Sequence, residues 1–232
     1  LTSVSPFCYN YYTTRPGNIM TKNEIFKTLI TILRPENVRR MMEFNINDAQ
    51  EYIYPRVQAQ GLTVLGMGMY AIVVEHSLYP GRAFKVTTSR WDGFRQYAQY
   101  CIENADKEYI PVIHSAQEKG NFAWYEMDKY YPIVMPCNGY EAFVSIKGED
   151  MYSYAHAGQY SDSGEFPQGT DEQIAIYQLA REIANTFGKR FTLDIHTGNI
   201  MVDGNGDVFI TDPLGGDLRR EIPITEEDPI FD

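Results

Sequence analysis

The stretch Leu193-Asp194-Ile195-His196-Thr197-Gly198-Asn199-Ile200-Met201, closed by Ile210-Thr211-Asp212, governs the reading of this chain. Residues 191–195, 199–202 and 208–211 are short apolar runs and predict strands. Between the last two lies Asp203-Gly204-Asn205-Gly206-Asp207, a run of turn residues that predicts a hairpin. Asp194 and Asn199 stand five apart in the loop entering this hairpin, and Asp212 stands thirteen residues past Asn199 at its far end. A hairpin returns its ends to one place, so an amide oxygen and a carboxylate converge there. Magnesium takes one or two carboxylates plus the phosphate oxygens it neutralises, which makes Asn199 and Asp212 the candidate ligands. Asp194 is left to accept the proton of an incoming hydroxyl. The competing readings are a solvent-facing Asp/Asn turn and a calcium loop. A calcium loop wants acidic groups at alternate positions, and Ile195, Ile200 and Met201 break any such series.

Working outward, Leu65-Gly66-Met67-Gly68-Met69-Tyr70-Ala71 reads as a glycine turn between two strands. Glycines at 66 and 68 let a backbone approach phosphates with no Cβ in the way. Alone this is weak, because any β-hairpin can use Gly-x-Gly. Lys85 follows in Arg82-Ala83-Phe84-Lys85-Val86. A lysine inside a strand needs a reason: phosphates would supply one, and an edge strand with a snorkelling side chain is the alternative. Strands are predicted at 62–66, 69–75, 82–87, 111–117 and 122–126, with a helix over 91–104 between the third and fourth.

Three helices precede this unit. Thr21 and Glu24 form a capping-box pattern ahead of Ile25, Phe26, Leu29, Ile30 and Leu33. Pro35 opens a second helix carrying Val38, Met41 and Met42, and Asn47 can cap a third that ends near Pro55. Residues 1–20 read as an extended arm, 139–155 as weakly helical, and 156–169 as a polar loop. Thr170 or Asp171 caps a helix bearing Ile176, Leu179, Ala180, Ile183 and Phe187, which Gly188 stops. The tail from Asp217 is charged.

The chain has 232 residues, 44% hydrophobic and 22% charged, enough for one sizeable core or one two-lobed domain. A net charge of −11 argues against direct nucleic-acid binding. It fits a soluble surface or an acidic face for a basic partner. Cys8, Cys101 and Cys137 form no pattern, which suits a reducing compartment. No apolar run approaches the length of a membrane span.

These motifs resemble the protein-kinase-like superfamily and, more closely, the early serine/threonine protein kinases of T-seven-type podophages. Residues 65–68, 80–86, 110–111 and above all 193–213 carry the resemblance, with D-x-H-x-G-N-I-M and I-T-D-P in the last stretch. It covers residues 61 to 214. It implies an α+β fold, two-lobed and kinase-like, with a reduced C-terminal lobe and an added N-terminal helical segment. The divisions are 1–60, 61–130 and 131–232. It implies ATP and Mg2+ as cofactors. Gly66 and Gly68 would cover the phosphates, Lys85 grip them, Asp194 serve as base, and Asn199 and Asp212 bind metal. Glu126 to Asp128 would form the hinge beside adenine, and His196 would stand near the transferred phosphate. The implied partners are host bacterial proteins, among them transcription or RNA-processing machinery, in the cytoplasm of the infected host.

The sequence also departs from the common kinase pattern. Thr192-Leu193 stand where kinases often have His-Arg, and Pro213-Leu214 replace Phe-Gly after Asp212. About twenty residues follow Asp212 here, so the reading expects no large helical lobe after it. The acidic partner of Lys85 is open, with Glu103 and Glu108 as candidates. Two other functions compete. One is small-molecule phosphotransfer of the aminoglycoside-kinase type, whose loop reads D-x-H-x-x-N. The other is an inactive acidic inhibitor of a host nucleic-acid-binding enzyme.

Overall fold

The computed structural model describes residues 20–133, 151–160 and 168–218. The predicted arm up to residue 19, the helical reading over 139–150 and the tail from residue 219 lie outside the described residues. Helix α1 (Lys22–Leu33) begins at the predicted capping box. Thr21 Oγ1 accepts from the Glu24 N–H, and the Glu24 carboxylate accepts from the Thr21 N–H at 2.7 Å. Helix α2 (Glu36–Phe44) starts directly after Pro35. Helix α3 (Ile46–Gln58) is capped by Asn45, not Asn47, and runs through Pro55 instead of ending there. Pro55 and Glu51 both lie on the exposed side, so the carbonyl that loses its N–H partner is open to water.

Strands β1 (Thr63–Met67), β2 (Ala71–Glu75), β3 (Arg82–Thr87), β4 (Ile113–Lys119) and β5 (Phe122–Asp128) form an antiparallel sheet ordered β1-β2-β3-β5-β4. The predicted chain order of three strands, a helix and two strands is observed, with α4 (Phe94–Glu103) as the helix. β3 is the central strand, and its two faces serve different layers. Phe84 and Val86 join Ile25, Phe26, Leu29, Val38 and Ile53 in a core formed with α1–α3. Ala83 points the other way, toward Phe94, Tyr97 and Cys101 of α4. Lys85 shares that second face.

After β5, strand β6 (Tyr131–Pro132) pairs with Met201 and Val202. Residues 151–160 form a helix, α5. This corrects the loop predicted from residue 156. The Gly158 that suggested a loop is a packing residue: a Cβ there would lie 2.4 Å from the Tyr177 carbonyl of the next helix. Helix α6 (Asp171–Phe187) has the reciprocal Thr170–Gln173 cap and ends at Gly188. Strands β7 (Phe191–Leu193), β8 (Ile200–Val202) and β9 (Val208–Ile210) follow as predicted, within a residue or two at their ends, and β8 and β9 form the expected hairpin. A further strand, β10 (Leu214–Asp217), was not predicted; it pairs antiparallel with β7. The fold is therefore mixed α and β with antiparallel sheets.

Candidate active site

The β8–β9 hairpin brings its ends together by main-chain bonds on both sides of Asp212. The Thr211 N–H donates to the Asn199 carbonyl at 2.8 Å, and the Asp194 N–H donates to the Pro213 carbonyl at 2.8 Å. Asp194, Asn199 and Asp212 are thus held in one place by the backbone. Buried Gln159 on α5 fixes the loop from below, donating to the Ile195 carbonyl at 3.1 Å and accepting from the Ile195 N–H at 3.3 Å. Tyr97 on α4 donates its hydroxyl to the Ile210 carbonyl at 2.6 Å, two residues before Asp212.

Lys85 reaches the same point from the central strand. It is only 4% exposed, which excludes the edge-strand alternative. Its Nζ lies 2.6 Å from Asp212 Oδ2 and 3.4 Å from the centroid of the Phe94 ring. The other Asp212 oxygen, Oδ1, is buried and has no hydrogen-bond partner. A buried carboxylate oxygen without a partner is costly unless something binds it. Asn199 donates its Nδ2 to the Asp194 carbonyl at 2.7 Å and to Asp194 Oδ2 at 3.3 Å, so its amide oxygen remains for a cation. Among the described residues, no three or more His, Cys, Asp or Glu side chains converge as metal ligands. One carboxylate and one amide suit magnesium, which draws its remaining ligands from phosphate and water.

Asp194 is half exposed, and partial burial raises its pKa above the ordinary carboxylate value. The nearby Asp212 charge pushes the same way, while His196 and the Asn199 hydrogen bond oppose the rise. His196 accepts the Gly198 N–H on Nδ1 at 3.0 Å and places Nε2 3.6 Å from Asp194 Oδ1. The carboxylate therefore sits at the open side of the cluster, oriented by Asn199 and His196.

Gly66 lies in β1, paired with Val73 next to a bulge, and Gly68 opens the turn into β2. Neither has a positive φ, and a Cβ at either would meet no protein atom within 4 Å. Nothing in the fold requires glycine at these positions. Glu126 and Asp128 are placed differently from what a side-chain contact with nucleotide needs. Both lie across from the Arg82 and Phe84 face of β3, opposite the Lys85 face. Glu126 pairs with Lys22 of α1 at 2.6 Å, and Asp128 pairs with Arg82 and with His114. Their side chains are committed to those partners, which leaves only their main chain for a hinge.

The candidate partners of Lys85 are corrected. Glu103 is exposed and accepts from Gln99 on its own helix at 2.7 Å, and Glu108 is exposed beyond the far end of α4. The carboxylate beside Lys85 and Asp212 that sequence reasoning missed is Asp92. It is 7% exposed, accepts the Phe94 N–H at 3.0 Å, and bridges through its backbone to Gly216 of β10. Burial raises its pKa to about 6, Lys85 opposes that rise, and Asp212 adds to it. α4 starts at Phe94, later than predicted, because residues 91–93 are spent on this junction. The Gly93 N–H donates to the Gly215 carbonyl at 2.9 Å, and the Asp217 N–H donates to the Trp91 carbonyl at 2.9 Å. A Cβ at Gly93 would lie 2.4 Å from the Gly215 oxygen, so that approach needs glycine. The only sequence trace of Asp92 is its place two residues ahead of a helical run.

A family model described as bacteriophage T7 protein kinase 0.7 matches residues 36–223. No curated protein matches the chain.

Proposed function

We propose, from the premise that the chain belongs to the bacteriophage T7 protein kinase family, that it transfers the γ-phosphoryl group of ATP to serine or threonine hydroxyls of host bacterial proteins early in infection. The observation that carries this reading is the state of Asp212. One of its oxygens pairs with the buried Lys85, the other is buried without a partner, and backbone bonds hold Asp194 and Asn199 beside it. Magnesium held there would supply neutralisation of charge on the phosphate oxygens. Asp212 Oδ1 and the Asn199 amide oxygen would hold it.

The remaining roles belong to the chain's own groups. Lys85 directs a positive charge toward the phosphates from a buried position, where it is little screened. Asp92 balances that charge when Asp212 turns to metal, and its cap on Phe94 keeps the aromatic ring beneath the ammonium. Asp194 orients the acceptor hydroxyl and takes its proton, a step favoured by a carboxylate made more basic than usual. His196 and Asn199 hold that carboxylate. Gly66 and Gly68 leave the β1–β2 turn free to close over phosphates. The sheet with α4 corresponds to one kinase lobe and the β7–β10 region with α5 and α6 to a reduced second lobe. The α1–α3 layer is an addition on the outer face of the sheet.

Incubation with γ-labelled ATP and a bacterial lysate tests the reading. Label on serine or threonine of protein bands, dependent on magnesium and lost in Asp212→Ala, is expected. Label only in small molecules would replace it with a small-molecule phosphotransferase. No label, together with a full biological effect of Asp194→Asn, would leave an inactive inhibitor.

A further inference from the structure

A second cleft lies beyond the far end of α4 from Asp92. It has a volume of about 460 Å³ and is walled by the α4 C-terminus, the segment leading into β4, and the start of β9. Its floor is apolar, made by Ile102, Ile110, Val112 and Phe209. Ile102 and Val112 are 39% and 45% exposed, two of the few large aliphatic side chains at the surface among the described residues. Exposed apolar groups gathered in a concave site mark a binding surface more often than scattered ones do.

The rim is acidic. Glu108, Glu172 and Asp207 come from three different elements, are all exposed, and line the same cleft. Their fields converge on the Tyr109 hydroxyl, where they add to the effect of burial in raising its pKa. Tyr109 itself holds a left-handed backbone at φ 65°, and its carbonyl accepts the Ile210 N–H at 2.8 Å. That bond fixes the cleft wall to the β9 strand. Lys107, which also lines the cleft, pairs with Glu182 and Tyr100. The site therefore offers an apolar floor under a negative rim.

We propose that this cleft docks a basic amphipathic segment of a partner protein, one that alternates Lys or Arg with aliphatic residues. The aliphatic side chains would fill the floor, and the cations would meet Glu108, Glu172 and Asp207. A basic partner also suits a chain whose net charge is −11. Charge alone would steer such a segment to many places on the surface, whereas the floor gives one address. This interaction needs no phosphoryl transfer, so its test does not depend on the activity proposed above.

The probe is a fluorescent twelve-residue peptide alternating arginine and leucine, titrated at physiological salt with anisotropy and calorimetry. Binding at one-to-one stoichiometry is expected, and Val112→Asp or Ile102→Ser should weaken it about tenfold or more. Both side chains are exposed, and unchanged melting will show that the fold is intact. Glu108→Lys should weaken binding about as much, while Glu36→Lys on exposed α2 should leave it within about twofold. Val112→Asp makes the protein more acidic, so binding that strengthens in that variant would show a response to net charge and overturn the proposal. So would absent or multi-site binding to the unaltered protein, or equal binding of a peptide with serine in place of leucine. A concentration-dependent dimer abolished by Val112→Asp would assign the cleft to a second copy and overturn it as well.

Discussion

The Asp212 cluster and the Gly66–Gly68 turn both belong to the candidate active site, but the protein treats them in opposite ways. Around Asp212, every predicted residue is held by other residues: Asp194 by Pro213, Asn199 by Thr211, Ile195 by Gln159, and Lys85 by Asp212 and Phe94. At the glycine turn, a Cβ would touch nothing and no φ demands glycine. The first region carries cost inside the fold, including a buried lysine, a buried aspartate and an unpartnered carboxylate oxygen. The second carries none. Substitutions in the first region should therefore change the chemistry and the balance of buried charge within a retained fold, while those in the second should disturb ligand binding alone.

The largest effect is expected from Asp212→Ala. It removes both the proposed metal ligand and the direct counter-ion of Lys85, and magnesium-dependent ATP turnover should fall by about a thousandfold or more. Circular dichroism should show the fold retained, since the buried Asp92 charge still acts on the ammonium. Asp194→Asn comes next, with a loss in kcat of about 10² to 10⁴ and ATP affinity nearly unchanged. A parallel loss of ATP affinity would move Asp194 from the base role to nucleotide binding. The proposed base must be ionised to act, so turnover of the unaltered protein should decline as pH falls through an Asp194 pKa raised above its ordinary value by partial burial. That lower arm should be missing from the residual activity of Asp194→Asn.

Asp92→Asn separates charge from architecture. The amide can still accept the Phe94 N–H, so the junction is kept while the carboxylate is lost. Turnover should fall about tenfold. The folded pKa of Asp92 is raised, so its neutral form is the one the fold favours. Its contribution to stability is complete below the unfolded value near 3.8 and is lost as pH rises through about 6. Thermal melts of Asp92→Asn should therefore lack that decline and match or exceed the unaltered protein at neutral pH. The smallest effect belongs to Gly66→Ala and Gly68→Ala. These should raise the KM for ATP severalfold and leave the melting temperature within about 1 °C. A clear loss of stability would erase the contrast between the two regions.

What could be read beforehand follows the same division. The capping box at Thr21, the succession of three strands, a helix and two strands, the β8–β9 turn and the convergence of Asp194, Asn199 and Asp212 follow from local patterns along the chain, and all are present in the fold. Asp92 was not legible because its role comes from a crossing of residues 91–93 with 215–217, segments more than a hundred positions apart. Glu103 looked suitable by spacing, yet the face of α4 that meets Lys85 is chosen by Phe94 and Tyr97 packing beneath the sheet. The family resemblance puts Glu126 and Asp128 at a hinge beside the nucleotide. Strand alternation turned their side chains to the α1–α3 face instead. The helix over residues 156–160 was hidden because glycine serves there for close packing on α6.

The central claim is that Asp212 and Lys85 form a magnesium–ATP site. A thermal-shift titration with ATP, with and without magnesium, compares the unaltered protein with Asp212→Ala most directly. The account predicts stabilisation by ATP that requires magnesium and is lost in the variant. An equal shift in Asp212→Ala, or none in the unaltered protein, would contradict it.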